Sequence, residues 1–191
     1  RVIQEVPEVI VNTFRFSLLA TLLITVAGGL MSYIIVRRET KMAGFLDSIL
    51  MVPYVVPGVV MAIGFLLTFN KAPMDLVGTG SIIVLILFIR RLPYGVRATS
   101  SVLRQIKPSI EEAAVSLGAS PAKAFFKVTV PLMMPGIVAG SMMSFITAIN
   151  ELSSTLLLYT APTTTMPVKV YNAVLDGEFG IAAALSTILL V

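Results

Sequence analysis

The chain has 191 residues, 57% of them hydrophobic and 13% charged, with a mean hydropathy of +0.95, too apolar and too sparsely charged for a soluble domain or a disordered chain. It holds no Cys and no His, which removes disulfide frameworks, Cys nucleophiles, His-based triads and most catalytic zinc sites. The net charge of +4 does not point to nucleic acid, because the charges fall between apolar runs rather than on one basic surface.

The first residue is Arg1 rather than Met, and residues 179–191 form an uncharged run that stops abruptly. An internal portion of a longer polypeptide is therefore expected. Arg15 and two Glu precede the first apolar run, a pattern unlike a cleavable signal peptide. A hydrocarbon core of about 30 Å needs about 20 apolar residues in a helix. Residues 16–36 form an uncharged run of that length.

The second run covers 48–70 and reads SILMVPYVVPGVVMAIGF over its first part. Pro53, Pro57 and Gly58 would interrupt its helical hydrogen-bond ladder. Such breaks are tolerated where the freed backbone groups face protein or a watery cavity. The run reads either as a pathway-lining helix, with Tyr54 beside the break, or as an ordinary proline kink. The third run, 76–89, is short. It must borrow residues 90–96 or be buried in protein as a re-entrant segment.

Residues 107–131 read KPSIEEAAVSLGASPAKAFFKVTVP. Pro108 restarts the chain after Lys107. Ser109 is the expected N-cap, with Glu112 at capping-box spacing. Ile110, Ala113, Ala114 and Leu117 fall at i, i+3, i+4 and i+7, giving a short helix with a narrow small-residue face. Gly118 fits a left-handed helix end. Ser120 and Pro121 then cap and open a second helix, which Pro131 is expected to end. A helix of about eight residues is unstable alone and must dock on something, its own membrane domain or a partner's groove.

The fourth run is 128–150. In it Gly136, Gly140, Ser144 and Ala148 recur every four residues, a stripe that lets another helix approach closely. Glu151 follows on the same face of a helix expected to continue to Tyr159. Intramembrane carboxylates are expensive and usually paired or functional. Two roles stand open for Glu151: a pathway group, or a structural group that pairs with Arg15 or is held protonated. Asn150, Ser153 and Ser154 stand beside it as oxygen donors. Met133, Met134, Met142 and Met143 read as flexible helix packing rather than a soft-metal site, and no metal site is expected. The fifth run starts at Phe179. The sequence thus predicts an all-α polytopic transmembrane bundle, one membrane domain over 1–191, with five spans and both ends incomplete.

Orientation follows from Lys and Arg placement. One side collects Arg37, Arg38, Lys41, Arg90, Arg91, Arg97, Arg104, Lys107, Lys123 and Lys127. The other has Arg1, Arg15, Lys71 and Lys169. This places 90–131 in the cytoplasm and implies at least one upstream span.

Glu112-Ala113-Ala114, then Gly118, then Val128 and Val130-Pro131 resemble the EAA signature of ABC importer permeases, departing only by Val for Ile and Val for Leu. LRQI at 103–106 and SLGAS at 116–120 also resemble the family. The resemblance covers essentially the whole chain, about one permease half. It implies a type I ABC importer permease core of the bacterial inner membrane, in which 109–131 is the coupling segment seated on a cytoplasmic ATPase. Ser109, Glu112, Ala113, Ala114, Leu117, Gly118, Ser120, Pro121 and Pro131 would form that segment, with Glu112 as its salt-bridge or cap residue. The implied partners are an ATPase dimer, a second permease half (fused or homodimeric) and an extracytoplasmic solute-binding protein. The chain itself carries no GxxxxGK[ST] phosphate loop, so ATP and Mg would be bound by the ATPase, and this chain is not expected to be an enzyme or to bind a cofactor.

Residues 90–106 and 150–172, with the later FGIAAALS, resemble the ferric-iron permeases. The same branch includes permeases for aminoethylphosphonate, polyamines, sulfate and thiamine. An ion-coupled secondary transporter would also use broken helices and a midplane carboxylate, but it leaves the Gly118 elbow unexplained.

Overall fold

The computed structural model describes residues 2–38 and 40–190. Arg1 and Val191, which entered the charge count and the fifth run, lie outside the described residues. Among these, every regular element is helical. In chain order they are α1 (Val2–Arg37), α2 (Lys41–Val55), α3 (Gly58–Thr68), α4 (Gly80–Gln105), α5 (Ser109–Ser116), α6 (Pro121–Ala124), a π-helical turn (Phe125–Thr129), α7 (Val130–Ile149), α8 (Thr155–Leu158), a 3-10 turn (Ala161–Thr163), α9 (Met166–Leu175) and α10 (Phe179–Leu190).

Two stretches are long and apolar enough to cross a membrane, Val6–Arg37 and Pro121–Ile149, or three if α2 and α3 form one broken span. Both long stretches present large side chains outward, including Leu18, Leu22 and Val26 on α1 and Val138, Met142 and Ile146 on α7. Apolar faces of that extent suit lipid or other helices rather than water. The third run does extend past Arg90, since α4 continues to Gln105.

The interruption expected in the second run falls at Pro57, which lacks an N–H and adopts φ −55°, ψ 137°, so that Gly58 starts a new helix. Two boundaries differ from expectation. Pro131 does not end a helix but lies in the first turn of α7. The π-helical turn just before it widens the backbone where the proline ring would otherwise meet the carbonyl four residues back. The fourth run stops at Ile149 instead of continuing to Tyr159. There the Glu151 carboxylate takes the Ser154 N–H at 3.1 Å, and this local bond replaces helical continuation.

The chain forms two compact units. The first comprises Arg1–Thr21, Pro53–Arg90 and Phe145–Val191. Its core joins Phe16 and Ala20 of α1 to Ala62 of α3, Ile82 and Ile86 of α4, and Leu158 of α8. A smaller cluster holds Val9, Met166 and Leu185, beside the bond that Met166 N–H donates to Thr13 Oγ1 at 2.7 Å. The second unit comprises Leu22–Val52 and Arg91–Ser144. Within it Ser32 Oγ donates to the Val96 carbonyl at 3.0 Å, and Thr25 and Ser141 share a 2.7 Å hydroxyl bond.

Candidate functional site

The 109–131 segment folds as an elbow. α5 ends at Ser116 with Leu117 as its C-cap, after which Gly118 takes φ +92°. The Ala119 N–H bonds to the Ala114 carbonyl at 3.1 Å, and the Gly118 N–H to Val115 at 2.9 Å. These are the two bonds of a Schellman end, and its left-handed residue would cost any side-chain-bearing residue roughly 1–2 kcal/mol. Ser120 then accepts the Lys123 N–H at 3.3 Å, with Pro121 opening α6.

The start of the elbow departs from the expected capping box. Pro108 holds the N-cap position, no side-chain cap bond forms, and Ser109 is already helical. Glu112 and Ala113 are exposed, Ala114 is half-buried, and Leu117 is 89% exposed. No residue of α5 is buried. The inward-turned acid is Glu111, which sequence reasoning passed over. It meets Arg37 Nε at 2.8 Å and the Tyr33 hydroxyl at 2.9 Å.

In the first unit a second constellation forms around Glu151, which is 4% exposed. Its Oε1 accepts Ser153 Oγ at 2.7 Å, Ser154 Oγ at 2.9 Å and the Ser154 N–H. Its Oε2 faces Arg90 Nε at 3.7 Å, the range of an ion pair rather than a hydrogen bond. Arg90 Nη1 donates to the Val56 carbonyl at 3.2 Å, inside the α2–α3 break. Gly58 completes the cluster. A Cβ there would clash with the Ser153 hydroxyl and lie 3.0 Å from Arg90 Nη1.

The proposed partner Arg15 is therefore corrected to Arg90; Arg15 is exposed on α1. Arg90 lies in the middle of α4. Gly58, Glu151, Ser153 and Ser154 come together. Asn150 bonds its own helix at Ile146, and Tyr54 is 59% exposed. Pro53 lies within α2, while Pro57 makes the break. Chemically the carboxylate is occupied, although Arg90 Nε is buried without a hydrogen-bond partner. Three donors fill Oε1 and a cation faces Oε2, so cation ligation by Glu151 would first require those bonds to break. Among the described residues no group of three or more His, Cys, Asp or Glu is placed to hold a metal.

The small-residue stripe of α7 packs on α4. A Cβ on Gly136 would lie 2.9 Å from the Ala98 carbonyl, and one on Gly140 2.9 Å from Gly95 Cα. Ser144 Oγ donates to the Arg91 carbonyl at 3.3 Å, and Ala148 is buried in the first unit's core. Gly95 was missed in the sequence, because a lone glycine in an arginine-rich stretch makes no repeat.

A family model described as "Binding-protein-dependent transport system inner membrane component" matches residues 24–191. The chain belongs to this family. Among curated relatives of this inner-membrane component, the ferric transport system permease protein FbpB of Actinobacillus pleuropneumoniae is 35% identical over 95% of the chain and 26% of that protein. The putative 2-aminoethylphosphonate transport system permease protein PhnV of Salmonella paratyphi A is 31% identical over 78% of the chain and 56% of its own length. The chain thus spans about a quarter of the ferric relatives it matches. The fold is that of a solved inward-facing MetNI methionine ABC transporter chain, with TM-score 0.72 at 18% identity, covering 98% of this chain and 87% of that one.

Proposed function

We propose that the chain forms part of the membrane-spanning permease of an ATP-driven importer, with the α5–α6 elbow seated on a cytoplasmic ATPase subunit. The observation that carries this reading is the elbow itself. An eight-residue helix with no buried residue and a Schellman end at Gly118 is tied to α1 through Glu111 alone, and its outward face, with Glu112 exposed and Leu117 at 89% exposure, stays uncovered among the described residues. ATP and Mg are held by the ATPase, and closure of two ATPase subunits moves two such elbows and reopens the pathway outward. The segment 90–131 then lies on the cytoplasmic side. A second permease half, fused or separate, completes the pathway, and an extracytoplasmic binding protein delivers the substrate.

Ferric iron is the substrate we assign, supported by the ferric permease at 35% identity. The PhnV match supports 2-aminoethylphosphonate as the second reading. Uptake of radiolabelled ferric iron against 2-aminoethylphosphonate by the full-length system separates the two.

Leu117→Asn tests the docking. Asn is tolerated at a helix end, and Leu117 contributes little to its own fold at that exposure. Losing a buried leucine contact costs about 1.5–3 kcal/mol, so retention of the ATPase subunit on purification should fall by about tenfold or more. Full retention with Leu117→Asn would contradict the seating.

A further inference from the structure

Glu112 is the acidic residue that the EAA resemblance emphasises, yet it points outward, while its neighbour Glu111 is held from both sides. The Arg37 and Glu111 side chains are 11% and 16% exposed. Arg37 Nε donates to Oε1, and the Tyr33 hydroxyl donates to Oε2 at 2.9 Å. Arg37 Nη1 also donates to the Ile106 carbonyl at 3.0 Å, in the link between α4 and α5. The Tyr33 ring also meets Phe125 in a T-shaped contact, with centroids 4.7 Å apart, at the start of the π-helical turn that leads into α7. Two side chains one turn apart on α1 therefore grip α5, the α4–α5 link and the root of α7 together. Charge-assisted bonds to both carboxylate oxygens fix orientation as well as distance.

Resting on the function proposed above, we infer that Glu111 is a positioning residue: with Arg37 and Tyr33 it forms a strut that makes the elbow move as one body with the inner end of α1. α5 has no buried residue of its own. Without the strut, α5 keeps its packing on α6 and the π-helical turn but loses its polar tie to α1. A docked ATPase would then swing α5 while α1 stays behind. The strut differs in role from the exposed face of α5. That face would set whether the ATPase binds, whereas Glu111 sets whether ATPase closure moves the pathway.

The test uses the full-length permease assembled with its ATPase and binding protein in proteoliposomes. It compares ATP hydrolysed with substrate taken up for Glu111→Gln, Arg37→Gln, the exchanged pair Glu111→Arg with Arg37→Glu, and Tyr33→Phe. Glu111→Gln and Arg37→Gln should retain the ATPase subunit and its hydrolysis but consume about tenfold more ATP per substrate moved, the scale of typical coupling free energies. The exchanged pair should recover much of that ratio. Tyr33→Phe removes one hydroxyl and should raise the ratio about two- to threefold; it also covers the case in which Glu111→Gln does not assemble. An unchanged ratio in Glu111→Gln, or in Tyr33→Phe where that variant alone assembles, overturns the strut. So does an exchanged pair no better than the single variants. Failure of the unsubstituted permease to retain any ATPase would instead overturn the importer reading.

Discussion

Arg90→Ala is expected to destabilise the protein by about 3 kcal/mol, the lower end of the 3–5 kcal/mol typical when one partner of a buried ion pair is removed. The Arg90 and Glu151 side chains are 13% and 2% exposed, so water does little to screen the carboxylate left behind. The 3.7 Å separation sets the lower end of the range. The same substitution strands the Val56 carbonyl in the α2–α3 break, where Arg90 is the donor shown. Thermal unfolding of the purified protein in detergent should show a marked drop in midpoint. The double variant Arg90→Met with Glu151→Gln should regain most of it, because no lone charge is then buried. A single variant that melts with the unsubstituted protein would show that the pair contributes nothing.

Gly140→Val should act at the crossing of α4 and α7. A Cβ on Gly140 would lie 2.9 Å from Gly95 Cα, 3.2 Å from the Gly95 carbonyl oxygen and 3.2 Å from Ala98 Cβ. Two of those neighbours are backbone atoms and cannot turn aside, so the helices must part. Overpacking of this kind costs about 1–3 kcal/mol, sometimes more, and valine adds two methyl groups to the clash. The matched control is Gly29→Ala, since nothing lies within 4 Å of a Cβ there. It should shift stability by less than about 0.5 kcal/mol. Equal melting of the two variants would mean that the stripe is not a close-packed seam.

The sequence made the elbow legible because its signals are local. A glycine at a left-handed helix end and a Ser-Pro restart each act within a few residues, and Gly118, Ser120 and Pro121 sit as such signals require. The stripe on α7 was legible for the same reason, being a simple four-residue period. What was not legible depends on partners far along the chain. Arg90 and Glu151 are brought together only by folding, and on depth alone the sequence pointed to Arg15. Ser109 fits a capping box by spacing, but the backbone at Pro108 is already helical at φ −56°, ψ −29°, so the cap position shifts by one and the box does not close. The π-helical turn has no residue pattern of its own. It exists because Pro131 must be fitted into a helix that runs through it. Glu111 escaped notice because Glu112 occupied the better-known position, and only the approach of α1 distinguishes the two.

Whether Leu117 faces an ATPase on the cytoplasmic side is tested most directly by site-specific thiol labelling. The chain holds no cysteine, so Leu117→Cys introduces a single thiol here, on an 89% exposed side chain. In membrane vesicles carrying the full-length system, a membrane-impermeant maleimide should label it in inside-out vesicles and not in right-side-out ones. A short thiol cross-linker should join it to the ATPase subunit. Labelling from the outer face, or a thiol that joins no ATPase in the assembled complex, would contradict the account.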